Sequence, residues 1–217
     1  GGEACPPELA DRLAVDLRER GDSSPAAAHH FRRLRMLDDN GDIATVSMQY
    51  SYLPSWISFL VDKERARQAG QALFEAVDKR IRALPEAQRP KVVVFGESLG
   101  SFGAESAFGT IPDIAARTDG ALFSGPTFNN SLWRDTTRDR DEGSPERLPI
   151  YDNGTQVRFA AEAQTDLSRP SGQWGDSRIV YLQHASDPII WWSPGLILNE
   201  PDWLKEPRGN DVLSATH

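Results

Sequence analysis

Residues 91–108 read Lys-Val-Val-Val-Phe-Gly-Glu-Ser-Leu-Gly-Ser-Phe-Gly-Ala-Glu-Ser-Ala-Phe. The opening run is short, apolar and β-branched, which predicts a strand buried on both faces of a parallel sheet. The closing part is rich in small residues and predicts a helix. At the joint stands Gly96-Glu97-Ser98-Leu99-Gly100, a G-x-S-x-G. Between a strand and a helix, this motif puts its serine on a tight, strained turn and lifts Oγ above the sheet edge. Gly96 and Gly100 are expected to permit close backbone packing. The Leu99 N–H, at the start of the helix, would face a developing oxyanion. Ser98 is therefore the candidate nucleophile and Leu99 the candidate oxyanion donor. The plain alternative is a tight turn with an exposed serine, and the flanking strand and helix favour the first reading.

Outward from this joint the alternation continues. DGALFSGP (119–126) and SRIVYLQHAS (177–186) predict two further strands. Strands alternating with helices indicate an α/β fold with a mostly parallel sheet flanked by helices. Upstream, residues 62–84 predict a helix with Asp62 as N-cap and Glu64 in its first turn. DIATVSMQYSYL (42–53) predicts a strand, limited by Pro54. Ser23-Ser24-Pro25 signals a helix start, and that helix would end at Asn40-Gly41. Leu9, Leu13 and Leu17 form the stripe of a first helix over residues 8–20. Residues 127–177, rich in Asn, Arg, Asp, Gly and Pro, break the rhythm and are read as a lid-like insertion over the sheet edge. The expected organisation is one domain over 1–217, its core at about 40–126 and 178–217.

Composition narrows the function classes. A chain of 217 residues needs no disulfide or metal to hold its core. Acids outnumber bases by 32 to 24, a net charge of −8, so no broad basic face for nucleic acid is expected. Cys5 stands alone, and no metal site or cofactor is expected. No apolar stretch approaches the ~18–20 residues of a membrane span, and the first thirty residues lack a signal-peptide core. The chain itself reads as soluble.

An acid and a base would complete a serine site. Asp187, in SRIVYLQHASDPII, stands just past a predicted strand, at the edge where catalytic groups collect in open α/β sheets. The order serine, acid, histidine makes Asp187 the candidate acid, and its plain alternative is an Asx turn. His217 is the histidine that follows it, with no strand before it to fix its place. His184 reads as a strand-end histidine, and His29 and His30 as helix-surface residues. Tyr50 and the pair Trp191–Trp192 are candidates for lining the substrate pocket, with packing as their alternative.

DIATVSMQYSYLPSWISFLVD, FGESLGSFGAESAF, DGALFSGP, RIVYLQHASDPIIWWSP and EPDWLKEPRG together resemble the bacterial, largely actinobacterial, α/β-hydrolase family with an N-terminal multi-span membrane segment. The resemblance covers most of residues 42–212. It implies an α/β-hydrolase catalytic domain tied to the cell envelope and acting on an ester or acyl substrate, with Ser98 as nucleophile and Asp187 as acid. Relatives carry a Gly-rich loop resembling T-G-T-G-W and a Gly-His-Tyr-type segment near the C-terminus. Neither is found in these 217 residues. The expectation is accordingly a chain trimmed from a longer protein, or one that has lost parts of the site, with the membrane link in segments not included.

Two function classes follow. The first is a serine hydrolase of esterase, lipase or acyltransferase type, taking a small-molecule or lipid acyl substrate. The second is a catalytically silent scaffold of the same fold that binds a lipid or protein partner in the cell envelope.

Overall fold

The computed structural model describes residues 44–48 and 63–209. The two predicted N-terminal helices, Asp62, Tyr50 and His217 lie outside the described residues.

Helix α1 (Lys63–Arg82) leads into β1 (Val93–Glu97), which turns at Ser98 into α2 (Leu99–Glu105). Then come α3 (Ile111–Arg117), β2 (Gly120–Ser124) and α4 (Ser131–Arg138). The strand β3 (Val157–Ala160), the short α5 (Ala163–Asp166) and β4 (Arg178–Leu182) follow. Two single turns, α6 (Pro188–Trp191) and α7 (Asp202–Lys205), close the described chain. Among the described residues, the strands form one parallel sheet in the order β1-β2-β4-β3, flanked by helices. This is the α/β architecture expected from the sequence.

One sheet face carries the core. Register sets Phe123 beside Tyr181 and Tyr181 beside Phe159, so three aromatic rings run across three strands. Neighbouring ring centroids are 5.3 Å apart in both pairs, a spacing at which each pair adds about 0.5–1.5 kcal/mol beyond area burial. Helix α2 covers β1 on this side, and α1 crosses α2 at Gly70 and Gly103. A Cβ at Gly70 would stand 1.9 Å from the Gly103 carbonyl oxygen, so the helices meet backbone to backbone.

Several expectations need correction. Val93 and Phe95 are 70% and 55% exposed, so β1 is not buried on both faces. It is one edge strand of the described sheet, and its second face has no described element across it. Residues 44–48, inside the predicted strand 42–53, have no regular secondary structure. The stretch 127–177 is more than an excursion, because it supplies α4 and the edge strand β3. Helix α3 was not expected, although its start is marked: Thr110 Oγ1 accepts from the Asp113 N–H at 3.1 Å, and Pro112 sits in the first turn. Among the described residues, no helix is long and apolar enough to cross a membrane.

Candidate active site

The site is built at the carboxyl edge of the sheet. β1 ends at Glu97, and the Ser98 N–H donates to the Ser124 carbonyl at 2.8 Å, extending the β1–β2 ladder by one residue. The chain then reverses into α2. Ser98 takes φ 53° and ψ −124°, a left-handed conformation that an L-residue with a Cβ adopts only under strain.

Gly96 makes this turn possible, and Gly125 turns the neighbouring chain beside it. A Cβ at Gly96 would come within 2.4 Å of the Gly100 carbonyl oxygen and 2.7 Å of the Ser101 Cα, so the helix can fold back over β1 only above a glycine. Gly125, at φ +57°, turns the chain after β2 with its Cβ direction aimed at the Ser98 nitrogen, 3.9 Å away. Gly100, by contrast, has no described atom within 4 Å of where its Cβ would be. The sequence reading of that glycine as a packing contact is not supported by these contacts.

Leu99 is the first residue of α2, and first-turn N–H groups have no acceptor within their own helix. Its side chain is buried, which anchors the helix start and leaves the backbone amide as its polar contribution. The Ser98 carbonyl accepts from the Ser101 N–H and from Ser101 Oγ, at 2.8 and 2.7 Å, so the turn is held from the helix side.

β4 delivers Asp187 to the same edge. Strands β1 and β4 are separated by β2, which sets them roughly 10 Å apart at ~4.8 Å per strand. Asp187 caps α6, its Oδ1 accepting from the Ile189 N–H at 2.9 Å. The Asx-turn geometry named as the plain alternative for Asp187 is therefore present. His184 is exposed, and its Nδ1 accepts from the Ser186 N–H at 3.1 Å.

The two tryptophans differ. Trp191 donates from Nε1 to the His184 carbonyl at 3.2 Å and packs edge-on against Trp133, with centroids 6.0 Å apart. Trp192 is 51% exposed and packs edge-on against Phe128 at 5.3 Å. Together they form an aromatic wall that joins the chain after Asp187 to the start of the 127–177 stretch.

Sequence reasoning missed Glu105. This carboxylate is 2% exposed and lies at the end of the helix that begins after Ser98. Burial pushes its carboxyl above the ordinary range, against the pull of the donors around it.

A family model for alpha/beta-hydrolases matches residues 26–217. The chain belongs to the alpha/beta-hydrolase family. Searches of curated proteins and of solved structures returned no match. Membership in this family is consistent with hydrolase activity, and the strained Ser98 stands where strand gives way to helix. A shallow apolar groove of about 390 Å³ lies elsewhere, on the exposed sheet face between Val93, Leu122, Val180 and Leu167. It runs along the sheet face from Asp119 and Arg178 to Leu182, and Ser98 is not among its lining residues. Among the described residues, no three histidine, cysteine, aspartate or glutamate side chains are grouped to hold a metal ion.

Proposed function

We propose that the protein is a serine hydrolase acting on an ester or acyl substrate through Ser98. The carrying observation is the conformation of Ser98: a non-glycine residue at φ 53° between a parallel strand and a helix. Strain of this kind persists where the surrounding structure over-determines it, and such places are commonly active sites.

In this reading Ser98 Oγ attacks the acyl carbonyl carbon and gives its proton to a histidine base. The carbonyl electron pair moves onto oxygen, which faces the Leu99 N–H. Collapse of that intermediate expels the leaving alcohol with a proton from the imidazolium and leaves an acyl ester on Ser98. Water, or another acceptor hydroxyl, then reverses the sequence and frees the serine. Asp187 is assigned to hold and stabilise the imidazolium, and His217 is the histidine that follows it in the sequence. Trp191 and Trp192 line the acyl side. Association with the cell envelope belongs to the same proposal, on the family resemblance alone.

The test is covalent labelling. A fluorophosphonate probe should modify wild-type protein at Ser98, located by peptide mass, and should not modify Ser98→Ala. If Ser98 stays unlabelled under conditions that label a control serine hydrolase, the proposal fails.

A further inference from the structure

We infer that Glu105 is a positioning residue of this site, a buried carboxylate that sets the helix following Ser98 against the loop of Asp187. The inference rests on the serine-hydrolase reading.

Glu105, on α2, accepts hydrogen bonds from two other parts of the chain, β4 and the 130–133 segment at the start of α4. The Tyr181 hydroxyl on β4 donates at 2.7 Å. The Leu132 and Trp133 N–H groups, at the start of α4, donate at 2.9 and 3.3 Å. Asn130 Nδ2, just before that helix, donates at 3.2 Å. All four donors are neutral, and all are satisfied by one side chain. Asn130 has no side-chain cap bond of its own to α4, so Glu105 caps that helix from a distance.

From each partner the network runs on toward the site. Asn130 Nδ2 also reaches Ser101 Oγ at 3.4 Å, and Ser101 Oγ donates to the Ser98 carbonyl. Trp133 Nε1 donates to Gln183 Oε1 at 2.6 Å, one residue past β4, and its ring packs on Trp191. The His184 carbonyl, next in the chain, accepts from the Asp187 N–H and the Trp191 Nε1. Glu105 thus stands at the junction of the nucleophile's helix, the aromatic wall and the acid's loop. A residue serving only to fill space at 2% exposure would be apolar, because burying a carboxylate is costly. Here the carboxylate offers what no apolar side chain can: enough lone pairs to fix three chain segments at once.

The test separates positioning from simple stability. Glu105→Gln keeps the volume and turns one oxygen into a donor. Tyr181→Phe removes one hydroxyl, and both are compared with wild type at one temperature, well below the lowest melting point of the three. Fluorophosphonate inactivation should lose ten- to a hundredfold in kinact for Glu105→Gln and two- to tenfold for Tyr181→Phe, with KI within threefold of wild type. Wild-type kinact in both variants overturns the inference, whatever their melting points. A second readout does not depend on hydrolase chemistry. In the Ser98→Cys background, Glu105→Gln should change the rate of thiol alkylation by iodoacetamide by tenfold or more, and an unchanged rate overturns the inference. If wild-type Ser98 resists the probe but the thiol rate shifts, the hydrolase reading fails and the positioning role stands.

Discussion

The Tyr181 hydroxyl and the Glu105 carboxylate, 76 residues apart in sequence, share a fully buried 2.7 Å hydrogen bond. It ties the middle of β4 to the end of α2. Burial and the adjacent carboxylate both push the Tyr181 hydroxyl well above its ordinary pKa, which favours its donor form. Removing it leaves Glu105 short of one donor in a place water does not reach. Tyr181→Phe should cost about 1–2 kcal/mol. For a chain of this length that corresponds to a fall in Tm of roughly 2–8 °C, and calorimetry showing no fall would refute it.

Strain at Ser98 makes an opposite prediction. Glycine reaches φ 53° without the Cβ penalty. Ser98→Gly should therefore raise stability by about 1 kcal/mol, while Ser98→Ala, which keeps the Cβ, should not. Urea titration of the three proteins compares them directly. Equal midpoints for the two variants would show that the turn is not strained.

The joint at residues 91–108 was legible because its information is local. A β-branched run predicts a strand whatever its partners, and G-x-S-x-G between strand and helix needs only its neighbours. The place of Asp187, just past a strand, was legible for the same reason, since RIVYL reads as strand from its own residues. What escaped notice depends on distant contacts. β3 reads VRFA, and its buried Arg158 makes sense only with the Gly154, Leu167 and Gly172 carbonyls wrapped around it. Glu105 looks like an ordinary helix acid until Tyr181 and α4 are placed against it. Conversely, Val93 and Phe95 are exposed on an edge strand of the described sheet, a position that a hydrophobic run does not reveal.

Gly96 offers a steric test of the turn. A Cβ there meets backbone atoms of Gly100 and Ser101, which have no side-chain freedom to yield. Gly96→Ala should destabilise by about 1–3 kcal/mol through overpacking, and should lower probe labelling of the folded protein by displacing α2. Gly100→Ala, with no described atom within 4 Å of its Cβ, should be tolerated in stability. Similar losses from both substitutions, measured by thermal melts, would contradict this account of the turn.

Arg158 should resist replacement by lysine. Its three nitrogens donate to three backbone carbonyls at 3.1, 2.6 and 2.7 Å, and its guanidinium lies 4.5 Å from the centre of the Trp174 ring. A single ammonium cannot span that fan of acceptors or stack on the ring in the same way. Arg158→Lys should cost about 2–4 kcal/mol, mostly as carbonyls left unmatched. Hydrogen exchange should quicken first around residues 154–174. Protection unchanged there would mean the stretch is held by other contacts.

Glu146 gives the protein a readable pH dependence. Its carboxyl accepts from the Trp203 N–H at 2.8 Å, while Glu206 accepts in return from the Glu146 N–H. Burial holds the Glu146 carboxyl above its ordinary 4.5, and nearby Asp202 and Glu206 push the same way against the pull of Arg140. The folded chain then binds this proton more tightly than the unfolded chain does. Between 4.5 and the raised value the native state carries more protons, so stability from this group rises as pH falls through that window and levels off below it. Glu146→Gln removes the titration and leaves the other groups in both proteins. The Tm of wild type relative to Glu146→Gln should thus climb as pH is lowered from 7 toward 4.5. A gap that shrinks on acidification would mean the surrounding donors outweigh burial and hold the charged form.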